Sequence, residues 1–281
     1  MTSSPTLTFN DGNTIPQLGY GVWQVEDDVA EKVVFQAFQA GFRHIDTAKI
    51  YGNESGVGRA IASSGLSPEE IFITTKLWNS DQGYESTLAA FEESMERLGL
   101  ETLDLYLIHW LQPKQDKYVD TWKALIELQK GGRVKSIGVS NFTIEGLQRI
   151  IDETGVVPAI NQVELHPFFN QAELRDFNAS KGILTQAWSP LGQGGELLED
   201  PTVTAIADKH GATPAQVVIA WHLAIGNVVI PKSVTESRIR ENYAALEITL
   251  DAADIESING LDRTAAGTGR IGPDPAVSDF A

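Results

Sequence analysis

Cysteine is absent from this 281-residue chain, which excludes disulfides, thiolate metal sites and a cysteine nucleophile. Basic residues are scarce: 21 Lys and Arg stand against 38 Asp and Glu, a formal net charge of −17. General nucleic-acid binding needs a positive field, and docking on anionic lipid needs the same, so neither partner is expected. No stretch approaches the ~18 consecutive apolar residues of a membrane span. The opening residues, MTSSPTLTF, lack a basic segment followed by an apolar one, so no secretory signal is visible and a cytoplasmic location is expected. The five His show no paired ligand spacing, and no metal is expected. No strand runs into Gly-x-Gly-x-x-Gly; Gly56-Val57-Gly58 lacks the third glycine and falls within a helical pattern. A Walker-type loop is missing as well. Gly138-Val139-Ser140-Asn141-Phe142 misses the nucleophile elbow by its last residue. Any nucleotide would therefore bind without a Rossmann fold.

What is present is a core-forming composition, 42% hydrophobic, in a length that one α/β barrel routinely reaches. Eight short β-branched runs stand at Gly19–Trp23, Arg43–Asp46, Ile71–Lys76, Leu103–His109, Lys135–Asn141, Ala159–Glu164, Ile183–Ser189 and Val228–Lys232. Between them, apolar residues recur at helical spacing. Val29, Val33, Ala37 and Ala40 form one such face, stopped by Gly41; Tyr84, Leu88, Phe91, Met95 and Leu98 form another, stopped by Gly99. Capping-box spacing at Thr213–Gln216, Ser233–Glu236 and Asn170–Glu173 marks helix starts.

Eight strand–helix repeats predict a parallel sheet covered on both faces, and eight is the number that closes a (β/α)8 TIM barrel. A doubly wound sheet is the rival. Leu7–Asn10 and Thr14–Pro16, around Asp11-Gly12, predict an N-terminal β-hairpin plugging the barrel bottom. Asp251–Leu261 predicts an extra C-terminal helix. A Gly- and Pro-rich tail follows, placed near the mouth. A single domain over 1–281 is expected, with its core at about 18–261 and its tail at 262–281.

The chemistry of such a barrel comes from the C-terminal ends of its strands. Those ends carry Asp46, Lys76, His109, Ser140-Asn141, Asn161-Gln162 and Pro231-Lys232-Ser233, with Tyr51 five residues beyond Asp46. One such residue alone reads most simply as a turn or a structural side chain. Together they are harder to dismiss, because burying a Lys or Asp costs several kcal/mol unless the charge is paired. Trp23, Trp78, Trp110 and Trp188 fall at or just past strand ends and suggest a stacking pocket, whereas Trp122 and Trp221 lie on helical patterns and read as core.

Asp46-Thr47-Ala48-Lys49-Ile50-Tyr51-Gly52-Asn53-Glu54, Thr75-Lys76-Leu77-Trp78, Leu107-Ile108-His109-Trp110, Gly138–Phe142 and Ile230-Pro231-Lys232-Ser233 resemble the aldo-keto reductases from about Leu18 to Leu261. The resemblance is closest to the prokaryotic group that includes 2,5-diketo-D-gluconate reductase. It implies NADPH-dependent reduction of an aldehyde or ketone by a monomer, with Tyr51 as proton donor, Lys76 and Asp46 supporting it, and His109 orienting the substrate. A free phenol titrates near ~10, and an ammonium ~4 Å away at an effective dielectric of about 20 is worth on the order of 4 kcal/mol, so Lys76 is expected to lower the Tyr51 pKa. By the same resemblance Ser140, Asn141 and Gln162 hold the nicotinamide carboxamide. Trp188 stacks on the ring where many relatives have Tyr, and Ser189, Leu191 and Gly192 meet the pyrophosphate. Lys232, Ser233 and Arg238 take the 2′-phosphate, Val234 belongs with the cofactor-binding residues, and Glu241 and Asn242 lie near the adenine. Trp23, Trp78, His109 and Trp110 shape the substrate site, with Phe168 and Phe280. The substrate is 2,5-diketo-D-gluconate or a small dicarbonyl or aldehyde. The alternative is a reductase-like NADPH-binding protein that senses redox state through interactions, with little turnover. A barrel hydrolase or isomerase is disfavoured by the Tyr–Lys–Asp–His set.

Overall fold

The structure, a computed structural model, describes residues 3–280. Two short strands, β1 (Thr6–Thr8) and β2 (Thr14–Pro16), pair antiparallel as the expected hairpin, with Leu7 opposite Ile15. Eight strands follow: β3 (Tyr20–Gly21), β4 (His44–Asp46), β5 (Phe72–Leu77), β6 (Leu103–Ile108), β7 (Val134–Ser140), β8 (Ile160–Glu164), β9 (Leu184–Trp188) and β10 (Val228–Val229). They form one sheet in sequence order, each strand parallel to the next. The ring closes through a parallel bridge between Leu18 and Val229. There Gly19 N donates to Val229 O at 2.8 Å and Val229 N to Gln17 O at 2.9 Å. The barrel, not the doubly wound sheet, is the fold.

Every residue of β5, β6 and β8 is buried, as parallel strands covered on both faces require. The hairpin seals the bottom: Phe9 and Ile15 pack with Phe72, Leu105, Leu107 and Ile160 inside the ring. Trp122 and Trp221 are fully buried core residues, as expected. Helix Asp27–Ala40 stops where Gly41 adopts φ 117°, and Tyr84–Leu98 where Gly99 adopts φ 68°; both are left-handed conformations that glycine enters without Cβ strain.

The expected first and last barrel strands are longer than their paired ladders. The paired part of β3 is two residues, and β10 ends at Val229, just before Pro231, which has no N–H to offer a neighbour. Of the three capping boxes, the one at Thr213 forms on both sides. The other two do not. At Ser233 the helix starts two residues later, at Glu236, because the Ser233 hydroxyl accepts from Thr235 N in a local turn. At Asn170 the side chain likewise accepts from Ala172 N, and Gln171 caps with φ 48° and no side-chain bond. The extra helix is Ala252–Asn259, capped by Asp251. Beyond it the tail makes one short turn, Thr264–Ala266, and runs irregularly across the barrel mouth to Phe280. Among the described residues no helix is long and apolar enough to cross a membrane.

Candidate active site

The C-terminal strand ends open into one cleft of about 1220 Å³. Asp46 ends β4 and Lys76 lies near the end of β5, and both are buried. Lys76 Nζ donates to Asp46 Oδ1 at 2.5 Å and to Thr47 O at 2.8 Å. Its third reach is toward the Tyr51 hydroxyl, 3.5 Å away, a gap at which charge matters more than hydrogen bonding. Burial alone would pull the lysine down, but Asp46 and Tyr51 outweigh it and hold its pKa above the ordinary value. Lys76 is therefore a fixed cation directly behind the phenol.

Tyr51 sits in the one-turn helix Lys49–Tyr51 that follows β4, and faces the cleft. Its pKa corrects the expectation. Burial raises it, and the neighbouring Lys76 charge, which lowers it, offsets only part of that rise. Desolvation penalises a phenolate in the ligand-free cleft more than one ammonium compensates. His109, just past β6, packs edge-on against Tyr51 at 5.7 Å between ring centres and against Trp78 at 5.2 Å. Burial first, and the Lys76 charge second, push its pKa well below 6.5, so the imidazole is neutral. Its Nδ1 is buried and has no hydrogen-bond partner among the described residues. A bare lone pair there costs less than a stranded N–H, which favours the tautomer protonated at Nε2.

A second network lies beside the first. Gln162 lines the cleft and donates from Nε2 to the other Asp46 oxygen at 2.7 Å. Ser140 Oγ donates to Gln162 O at 2.9 Å. Asn141, turned out of β7 with φ 57°, donates to His109 O at 3.0 Å and accepts from Trp188 Nε1 at 2.8 Å. One continuous set of bonds thus joins the ends of β4, β7, β8 and β9 and fixes the Trp188 indole.

Most of the expected residues meet in this cleft. Its lining includes Trp23, Trp78, Trp110, Ser189 and Leu191, together with Lys232, Ser233, Arg238, Glu241 and Asn242. Three do not fit. Val234 is half exposed and off the lining, because the chain turns outward between Ser233 and the helix start at Glu236. Gly192 is also off it, facing Leu197 instead. Phe168 is buried beneath the tail, its ring covered by Arg263 at 3.5 Å. Phe280 does reach the mouth, edge-on to Trp110 at 5.0 Å and beside Trp78 at 6.0 Å.

Sequence reading missed Gln24, Ile50, Thr213, Pro214, Ile271 and Gly272 as lining residues. Thr213-Pro214 carried a signal as a helix start, but not that the start points at the cleft. The tail was expected near the mouth, but nothing in its sequence singled out Ile271 and Gly272.

Residues 16–263 match the model of the aldo/keto reductase family. The chain belongs to that family. An aldo-keto reductase of Mycolicibacterium smegmatis is 57% identical over 278 residues, covering 99% of each chain. A protein of Salmonella typhimurium named methylglyoxal reductase DkgA is 51% identical over 275 residues, covering 97% of this chain and 98% of its own. Among solved structures, a Gox0644 mutant in complex with NADPH superposes with a TM-score of 0.94 at 51% identity, covering 99% of this chain and all of that one.

As an aldo/keto reductase, the protein is an NADPH-dependent oxidoreductase that reduces carbonyl compounds. The cleft suits that nucleotide. Lys232 and Arg238 line it after β10, and among the described residues neither has a carboxylate or hydrogen-bond partner. Two such cations on one cleft of a chain of net charge −17 suit a phosphate dianion, with the Arg fork fitted for bidentate contact.

Proposed function

We propose that this aldo/keto reductase reduces a small, uncharged aldehyde or dicarbonyl, with Tyr51 as the proton donor. The arrangement Asp46–Lys76–Tyr51 beside a neutral His109 carries the reading. NADPH, when bound, supplies the hydride that the carbonyl carbon accepts. The Tyr51 O–H donates its proton to the carbonyl oxygen, completing the alcohol, and the remaining phenolate is stabilised by the Lys76 ammonium until solvent returns a proton. Asp46 keeps Lys76 charged and in place. His109, protonated at Nε2, donates a hydrogen bond to the same carbonyl oxygen and so orients the substrate. Ser140, Asn141 and Gln162 hold the carboxamide side of the nicotinamide, and the Trp188 indole, fixed by Asn141, supports its ring. Lys232, Ser233 and Arg238 take the 2′-phosphate.

Charge narrows the substrate. Among the described residues, Lys232 and Arg238 are the only Lys or Arg side chains on the cleft lining, and the nucleotide engages both. The rest of the lining includes the aromatic and apolar side chains Trp23, Ile50, Trp78, Trp110 and Ile271, together with uncharged polar residues such as Gln24 and Gln193 and the carboxylates Asp46 and Glu241. No cation is left to pair with a substrate carboxylate, which favours methylglyoxal and neutral aldehydes over 2,5-diketo-D-gluconate. The names of the Salmonella and Escherichia coli relatives, methylglyoxal reductase, agree.

The test is NADPH oxidation by the wild type and by Tyr51→Phe. The wild type should turn over methylglyoxal with a higher kcat/KM than 2,5-diketo-D-gluconate. The variant should lose about 10²–10⁴-fold in kcat, the usual worth of a positioned general acid, while binding NADPH almost as tightly. Unchanged kcat would sink the donor assignment, and a preference for the carboxylate substrate would sink the charge argument.

A further inference from the structure

Glu164 ends β8 and is almost wholly buried, yet among the described residues no Lys or Arg pairs with it. Its carboxylate is spent on the tail. Ile271 N donates to Oε1 at 2.6 Å and Gly272 N to Oε2 at 2.7 Å, with His166 Nε2 completing the set at 3.1 Å from Oε1. Hydrogen bonds to a charged acceptor are about twice as strong as neutral ones, and here both oxygens grip backbone.

What the grip positions is the wall of the cleft. Glu164 is the register partner of Trp188 across β8 and β9. The tail lies so close to that indole that a Cβ on Gly272 would come within 2.5 Å of Trp188 Cη2. Only glycine lets the backbone approach this far. Ile271, Gly272 and Pro273 then line the cleft themselves. The tail's far end is held separately, by Asn79 Nδ2 donating to Phe280 O at 2.9 Å and by Phe280 against Trp78 and Trp110.

We propose that Glu164 is a positioning residue: by pinning the tail at Ile271 and Gly272 against Trp188, it sets the wall that substrate and cofactor share. This rests on the reading of Trp188 as the nicotinamide support, and it assigns Glu164 no contact with the reacting atoms. The effect must therefore appear in binding and not in the chemical step.

Two variants test it. In Glu164→Gln a single carbonyl oxygen faces three donors, so one tail N–H is left opposite an NH₂ group. Limited trypsin digestion of the ligand-free protein reads the tail directly, because Arg270 is exposed and immediately precedes the pinned pair. Cleavage after Arg270 should accelerate by about tenfold, the effect of losing one hydrogen bond to a charged group. KM for methylglyoxal should rise by a similar factor of about ten, with kcat held within about threefold and trypsin resistance elsewhere unchanged. Gly272→Ala leaves the carboxylate intact and disturbs only the approach to Trp188. It should give the same KM rise, and it keeps the proposal open to failure if Glu164→Gln does not fold. Unchanged Arg270 cleavage and KM in a folded Glu164→Gln, or unchanged KM in Gly272→Ala, would overturn it. So would a loss confined to kcat. The digestion needs no turnover, so failure of the latch and failure of the reductase reading are separable.

Discussion

A lysine with no solvent exposure survives at position 76 because its three N–H groups each have a direction to point: Asp46, the Thr47 carbonyl and Tyr51. Burying such an ion unpaired would cost several kcal/mol. The pair was readable from sequence, since charged residues at two adjacent barrel strand ends have no structural excuse. The direction of the Tyr51 shift was not. It depends on how much low-dielectric surface encloses the phenol, a tertiary property that spacing does not encode. The consequence is a pH profile. His109 is held neutral by a pKa well below 6.5, and Tyr51 is held protonated by one above 10. The proposed mechanism needs both forms, so on that reading kcat/KM should stay level from about pH 6.5 to 9 and fall only as pH rises through the Tyr51 pKa. An inflection near pH 6.5 abolished by His109→Asn would show instead that the imidazole titrates.

At the scale of elements, the loop between β10 and helix Glu236–Ala244 shows where local signals mislead. Ser233 has a capping residue's chemistry, but its hydroxyl accepts from Thr235 N and the helix begins later. The delay leaves Lys232, Ser233 and Arg238 on the cleft while Val234 points outward. The Tyr20 hydroxyl donates to the Ser233 carbonyl and ties this loop to β3. The Trp–Asn–His network at the ends of β6, β7 and β9 was only half legible: its residue types stood out, but their mutual bonds needed the barrel. Arg238→Ala tests the loop. Charge-assisted bonds to a phosphate are worth ~1.5–3 kcal/mol, so the Kd for NADPH should rise by about 10- to 100-fold and that for NADH by less than about threefold. Titration by fluorescence of the two cofactors decides it, and equal losses would place the 2′-phosphate elsewhere.

For the whole molecule, the barrel and its eight strands were readable because parallel strands buried on both faces leave short, continuous β-branched runs between helical patterns. The path of the tail was not, since residues 264–280 have no periodicity and are placed by single side chains such as Glu164 and Asn79. That the ring closes was expected from its eight repeats; how it closes was not readable, and the closure is uneven. β5 and β6 share a four-residue register, whereas β3 and β10 are two residues each and meet through the Leu18–Val229 bridge. That seam runs directly into Lys232 and Ser233. A ring is expected to open first along its thinnest join, so the barrel resembles a clasped bracelet whose clasp adjoins Lys232 and Ser233, the residues proposed to take the 2′-phosphate. The amides of Gly19, Gly21 and Val229 close it, and they should exchange with deuterium sooner than those of β5 and β6. At 100 times its Kd a ligand stabilises the folded state by about 2.7 kcal/mol, and NADPH should slow exchange at this clasp more than anywhere else in the ring.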